Sequence, residues 1–139
     1  MIIADTGFIY ALLDKPDAWH ERSVAAFDTA DEGLITTWPV LTEAVHLIMR
    51  SLGTAPAVAL MQDVADGGLA IWNIDFESQQ RVPSLMKRYS DLPMDLADAS
   101  LVLLAETIGH GRILTTDERA FRTYRWKSRA PFQNLLAEA

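Results

Sequence analysis

The stretch Met94-Asp95-Leu96-Ala97-Asp98-Ala99-Ser100-Leu101-Val102-Leu103-Leu104-Ala105-Glu106 decides how the rest of the chain is read. Two carboxylates one helical turn apart, Asp95 and Asp98, open it. In the run that follows, Leu96, Ala99, Val102, Leu103 and Ala105 leave almost no polar face. A helix apolar on most sides is a buried helix. Its first turn therefore stands at the edge of a core, with two acids projecting from it. Capping alone explains such a pair: an Asp at the N-cap and an acid at N3 complement the helix dipole, each worth about 0.3–1 kcal/mol. Three more acids, in places where one fold class would bring them here, weigh against capping as the whole account.

Working outward, 139 residues make one domain of ordinary size, read as a single unit over 1–139. Hydrophobic residues are 50% of the chain, enough for a core, and charged residues are 22%, so the composition is not that of a disordered chain. There is no Cys, which excludes a disulfide framework, a thiolate metal site and a Cys nucleophile. Met1 leads into Ile2-Ile3-Ala4-Asp5 without a basic n-region or a long apolar run. The expectation is a cytoplasmic protein with no membrane segment. The net charge of -7 argues against a nucleic-acid binder, whose affinity comes mostly from basic contacts to phosphate. The objection weakens if several acids share bound cations, which reverse the local field. Basic residues gather late, at Arg112, Arg119, Arg122, Arg125, Lys127 and Arg129: either a basic strip or a solvated surface.

Ile2-Ile3-Ala4 reads as a central parallel strand buried on both faces, ending at Asp5. Thr6-Gly7 turns it into a helical segment, Phe8 to Leu13. Ala18 to Ala30 reads as an amphipathic helix with Trp19, Val24 and Phe27 inward, and Leu34 to Thr37 as a second strand. Trp38-Pro39 opens a helix over Val40 to Leu52 with Leu41, Ala44, Val45, Ile48 and Leu52 as one stripe, and Glu43 in its first turn. Thr54 as N-cap starts a helix over 55–66, and 69–74 is a third strand. Asp75 caps a helix predicted over Phe76 to Tyr89. After the 94–106 stretch, Gly109 stops the helix, and Ile113 to Thr116 is a fourth strand followed by Asp117 and a helical turn. Tyr124-Arg125-Trp126 is a last short strand, and Pro131 onward a tail helix or docking segment. Strands alternating with helices imply an α/β fold with a parallel sheet and right-handed crossovers.

In that fold Asp5 and Asp117 leave the carboxyl ends of strands, while Glu43, Asp95 and Asp98 sit in first turns of helices. Those positions line one edge of the sheet, where open α/β folds bind ligands. Acids gathered there repel one another and push their pKa values up. Hard divalent cations answer the problem: Mg²⁺ or Mn²⁺ takes oxygen ligands from a few carboxylates and keeps several waters. Such a site suits phosphodiester hydrolysis, with one cation activating water and a second, roughly 4 Å away, stabilising the leaving oxygen. His20, His46 and His110 show no metal-ligand spacing.

At this point the chain resembles the PIN-domain ribonucleases, most closely the VapC-like toxins of bacterial toxin–antitoxin pairs. The resemblance rests on Ile3-Ala4-Asp5-Thr6-Gly7-Phe8-Ile9, Thr42-Glu43-Ala44, Asp95-Leu96-Ala97-Asp98-Ala99-Ser100-Leu101 and Ile113-Leu114-Thr115-Thr116-Asp117-Glu118-Arg119-Ala120-Phe121. The four pieces stand in family order with family-like spacing, and the resemblance covers essentially the whole chain. It implies a three-layer α/β/α PIN-like fold with a central, mostly parallel sheet. It places an acidic quartet on Asp5, Glu43, Asp98 and Asp117 as catalytic metal ligands, with Asp95 auxiliary and Thr6 and Thr115 as supporting hydroxyls. It implies a Mg²⁺- or Mn²⁺-dependent endoribonuclease acting on RNA, commonly a homodimer, inhibited by a cognate antitoxin. The -7 charge sits uneasily with an RNA substrate, and the 119–129 stretch is the candidate contact surface.

Two other classes compete. Aspartyl-phosphate phosphoryl transfer also places acids at strand ends, but receivers use a Lys at a late strand end, and Lys15, Lys87 and Lys127 follow no clear strand. The related phosphatases want Asp-x-Asp at the first strand, where this chain has Asp5-Thr6-Gly7. A non-catalytic PIN-like module that binds RNA or protein is opposed by the intact set of acids.

Overall fold

The computed structural model describes residues 1–137. Its centre is β1 (Ile2–Ala4), three apolar residues buried on both faces. Around it runs a five-stranded sheet in the order β3-β2-β1-β4-β7, made of β2 (Leu34–Thr37), β3 (Leu69–Trp72), β4 (Arg112–Leu114) and β7 (Gln133–Asn134). Every ladder in it is parallel. Parallel strands need crossovers, and right-handed crossovers place helices on both faces of the sheet. The first crossover is α1 (Thr6–Leu13) with α2 (His20–Thr29), and the second α3 (Trp38–Leu52) with α4 (Thr54–Ala65). The return from β3 to β4 uses α5 (Phe76–Gln79), α6 (Val82–Arg88) and α7 (Leu96–Ile108). After β4 come α8 (Glu118–Thr123) and a hairpin of β5 (Arg125–Trp126) and β6 (Ala130–Pro131), antiparallel and outside the main sheet. The expected α/β architecture with a central parallel sheet flanked by helices is the one observed.

α7 is the buried helix its composition demands: Ala99, Leu101, Val102, Leu104 and Ala105 are fully enclosed. β2 carries two buried threonines whose hydroxyls are satisfied. Thr36 donates to the Ala4 carbonyl at 2.7 Å, and Thr37 shares a hydrogen bond with Ser100 of α7 at 2.6 Å. Thr37 also caps α3, accepting from the Val40 N–H at 3.4 Å. A polar strand end thereby ties β2 to both helices that carry acids, α3 and α7.

Several boundaries differ from expectation. The helix predicted over Phe76 to Tyr89 is two helices, because Pro83 lacks an N–H and its ring would clash with the carbonyl of residue 79. α1, α3 and α4 begin at Thr6, Trp38 and Thr54, and Gly53 (φ 99°) rather than Thr54 is the N-cap of α4. The earlier start of α3 moves Glu43 from the first turn to the second. Phe27, expected inward, is 51% exposed, and Leu96 is 48% exposed. The tail predicted as a helix or docking segment from Pro131 instead supplies β6 and β7, and residues 138–139 lie outside the described part. Gln133 N–H and Leu135 N–H bind the Gly111 and Ile113 carbonyls, both at 2.8 Å, and Leu136 is fully buried. An alternating short segment beside an unpaired strand edge gains a ladder there that an isolated helix of this length lacks.

Candidate active site

Five carboxylates line one cavity of about 340 Å³: Asp5, Glu43, Asp95, Asp98 and Asp117. The cavity lies at the carboxyl edge of β1 and β4, and no basic side chain is among its described lining residues. Asp5 directly follows β1 and is buried; Asp117 follows β4 across the short Thr115-Thr116 link. Glu43 comes from α3, and Asp95 and Asp98 from the start of α7.

Three of the acids are helix caps in fact. Asp5 Oδ1 accepts from Thr6 N–H at 2.7 Å, Asp95 Oδ1 from Asp98 N–H at 2.8 Å, and Asp117 Oδ1 from Ala120 N–H at 3.2 Å. Asp5 Oδ2 takes a second hydrogen bond, from the Thr115 hydroxyl at 2.6 Å. Thr115 in turn accepts from the Asp117 N–H at 3.0 Å, so one hydroxyl links the acids at the ends of β1 and β4. Thr6 behaves differently from expectation. Its hydroxyl points to the Val40 carbonyl at 3.5 Å, and only its backbone N–H serves an acid. Gly7 sets the spacing at the rim, since a Cβ there would stand 2.0 Å from Thr116 Oγ1.

One contact had no signal in the sequence. The Tyr124 hydroxyl donates to Asp98 Oδ2 at 2.9 Å. Tyr124 follows α8, the helix that Asp117 caps, and only the tertiary fold brings it to a residue 26 positions earlier. As the first residue of a predicted last short strand, Tyr124 offers no hint of that partner; it is instead the C-cap of α8.

The electrostatics are those of acids without counter-charge. Burial, together with the charges of Asp117 and Asp95, pushes Asp5 up to about 6 against the hydrogen bonds from Thr115 and Thr6. Burial first, then Asp95 and Asp5, pushes Asp98 up to about 7. Glu43 is also raised, by burial and by Asp95 and Asp5. Among the described residues no three His, Asp or Glu side chains converge as a finished ligand cluster. The acids ring the cavity, and backbone caps hold three of them, Asp5, Asp95 and Asp117. The donor set fits a hard divalent cation of the Mg²⁺ type, which takes one or two carboxylates, keeps waters, and leaves positions for phosphate oxygens.

The expected basic strip is thinner than its sequence. Arg112 is held bidentately by Glu32 at 2.6 and 2.8 Å, and Arg125 donates to the carbonyls of Arg122, Thr123 and Tyr124. Arg119, Arg122, Lys127 and Arg129 remain exposed. His20 Nδ1 lies 2.6 Å from the Ala11 carbonyl, and His110 Nδ1 accepts from Arg112 N–H at 3.1 Å, both away from the acids. His46 is an exposed α3 residue beside the cavity rim.

A parallel α/β sheet with acids ringed at its carboxyl edge is an open α/β fold with its ligand-binding edge lined by carboxylates. The chain belongs to the PIN domain family, whose model matches residues 2–127. It is similar to ribonuclease VapC26 of Mycobacterium tuberculosis (strain ATCC 25618 / H37Rv), 25% identical over 124 residues, which cover 89% of this chain and 92% of that protein. Its fold is similar to the crystal structure of Mycobacterium tuberculosis VapC20, described as a sarcin-ricin loop cleaving toxin. The two share 20% identity with a TM-score of 0.79, over 86% of this chain and 92% of that one.

Proposed function

We propose that this chain, as one PIN domain over 1–139, is a divalent-metal-dependent endoribonuclease and the toxin of a toxin–antitoxin pair. The observation that carries the reading is the ring of five carboxylates lining one cavity, with no basic side chain among the described lining residues. Membership of the PIN family and the likeness to a VapC ribonuclease support it. Asp5, Glu43, Asp98 and Asp117 hold Mg²⁺ or Mn²⁺, with Asp95 as an auxiliary ligand. When bound, the cation lowers the pKa of water and offsets phosphate charge. Asp5, fixed by two hydrogen bonds, is the rigid acid of the set. Asp98, pushed up to about 7 first by burial and then by Asp95 and Asp5, is the acid whose charge a bound cation would relieve most. Glu43 and Asp117 are exposed and close the ring from α3 and the start of α8. Arg119, Arg122, Lys127 and Arg129 offer the phosphate contacts that the overall charge lacks.

Exposed Trp38 and Leu96 flank an open cavity beside the acids, and they support pairing of two copies as a homodimer. An apolar groove of about 420 Å³, lined by Phe8, Leu12, Val24, Phe27 and Leu60, supports a segment of the antitoxin as a partner. No helix among the described residues is long and apolar enough to cross a membrane. The cytoplasm, where RNA is the substrate, is the compartment this activity requires.

The test is cleavage of a structured RNA pool by purified protein with Mg²⁺, with Mn²⁺ and with EDTA, beside Asp98→Asn. Cutting that needs metal and disappears in the variant is expected. Cutting that survives EDTA, or that the variant retains, overturns the reading.

A further inference from the structure

α7 fixes where the backbone of Asp98 lies, but a helix leaves the carboxylate of its third residue free to rotate. In this structure one contact removes that freedom: the Tyr124 hydroxyl, at 2.9 Å from Asp98 Oδ2. Tyr124 is itself closely packed. It is fully buried, and its ring packs edge-on against Tyr89 at 5.0 Å and Phe121 at 5.1 Å. The Tyr89 hydroxyl accepts from the Arg125 N–H at 3.1 Å and takes no part in the Tyr124–Asp98 contact. Tyr124 also lines the acid cavity, with its hydroxyl held on Asp98. Asp117 caps the N-terminus of α8 and Tyr124 caps its C-terminus, over a helix of 6 residues. One short element thus carries one acid of the ring and the strut that orients another.

We infer that Tyr124 is a positioning residue: its hydroxyl holds Asp98 Oδ2 and leaves Oδ1 available to a cation that the ring of acids would hold, in register with Asp117. The inference rests on the nuclease reading. Outer partners of ligating carboxylates act this way, and losing one typically costs about 10- to 100-fold in metal affinity or activity.

The experiment compares wild type, Tyr124→Phe and Tyr89→Phe. Tyr124→Phe keeps the ring and removes the hydroxyl. Tyr89→Phe removes a hydroxyl from the same aromatic cluster that touches no acid. Mn²⁺ affinity is measured by calorimetry without RNA, kcat and KM on one cleaved RNA, and melting by circular dichroism. The expected result is Mn²⁺ affinity about 10-fold or more weaker in Tyr124→Phe, kcat lowered with KM nearly unchanged, and a cooperative melt. Tyr89→Phe should match wild type in affinity and kcat. Equal losses in both variants, or a Tyr124→Phe chain that does not fold, make the role one of packing and overturn the inference. Wild-type affinity in Tyr124→Phe overturns it too, while the nuclease reading stands. A wild type that neither binds Mn²⁺ nor cuts RNA overturns both.

Discussion

Replacing Asp98 by Asn should make the metal-free protein more stable, and the size of the gain should depend on pH. Asp98 is moved from 3.8 to about 7, first by burial and then by Asp95 and Asp5. A carboxyl raised in the folded state makes folding less favourable once it ionises in the unfolded chain. The penalty is absent below about pH 4, grows as pH rises, and is complete above pH 7. At 1.36 kcal/mol for each tenfold change in acidity, the full displacement is about 4 kcal/mol. Solvent reaches part of the group, which halves that to about 2 kcal/mol. Asp98→Asn removes the charge and keeps an amide oxygen to accept from Tyr124. The assay is thermal and urea unfolding of both proteins in EDTA at pH 4 and pH 8. A gain of about 2 kcal/mol at pH 8, a rise in Tm of roughly 6 °C for a chain of this size, should shrink to near zero at pH 4. Mn²⁺ at pH 8 should then stabilise wild type by about 2.7 kcal/mol at one hundred times its Kd, and the variant by much less. A loss of stability at pH 8, or the same change at both pH values, would refute the account of Asp98 as an uncompensated acid.

Other perturbations probe the supports of the ring. Thr115→Val removes the donor to Asp5 Oδ2 and the acceptor of the Asp117 N–H in a fully buried place; it should cost about 1–3 kcal/mol in urea unfolding. NMR titration of Asp5 in the same variant should show its pKa higher than in wild type, since Thr115 is the chief influence holding it down. Gly7→Ala forces a Cβ onto Thr116, and an unfolding cost of about 1–3 kcal/mol is expected. Glu106 receives Arg81 from the start of α6 and the Lys127 N–H at 2.6 Å, fastening the β5–β6 hairpin to α7. Glu106→Gln should lower stability by about 1–2 kcal/mol, a value held down by the half-exposed Arg81, and leave calorimetric Mn²⁺ affinity unchanged.

The parts of this fold that could be read in advance are those where one period or one punctuating residue decides the outcome. Ile2-Ile3-Ala4 reads as a doubly buried strand and the run from Ala97 to Ala105 as a buried helix, and both form as read. Where two weak signals compete, the sequence misleads. The cap at Asp75 suggests one helix over Phe76 to Tyr89, but Pro83 within it breaks the helix in two. The short tail from Pro131 carries helix-forming Leu135-Leu136-Ala137, yet its backbone pairs with β4 because an unpaired parallel edge is available there. The acids were legible as a set because a parallel sheet brings strand ends and helix starts to one edge. Their orientation was not, because Thr115, Tyr124 and Gly7 act through contacts that no local spacing encodes.

Capping and metal binding are usually weighed as rivals for an Asp at a helix start. Under the proposed function they are parts of one device. Asp5, Asp95 and Asp117 each give Oδ1 to a backbone N–H, which fixes the carboxylate plane. The Oδ2 atoms of Asp95 and Asp117 accept no hydrogen bond among the described residues. A cap stabilises a helix by about 1 kcal/mol, while an unpaired buried carboxylate costs more than that. Asp5 and Asp98 are the acids whose pKa values burial raises most, and they are the ones given a hydroxyl each, Thr115 and Tyr124. A chain under selection for capping alone gains nothing from turning five acids toward one cavity and then supplying hydroxyls to steady the two most destabilised. The excess of negative charge over helix-capping need is therefore the quantity that points to a cation, and the pH dependence of Asp98→Asn measures it directly.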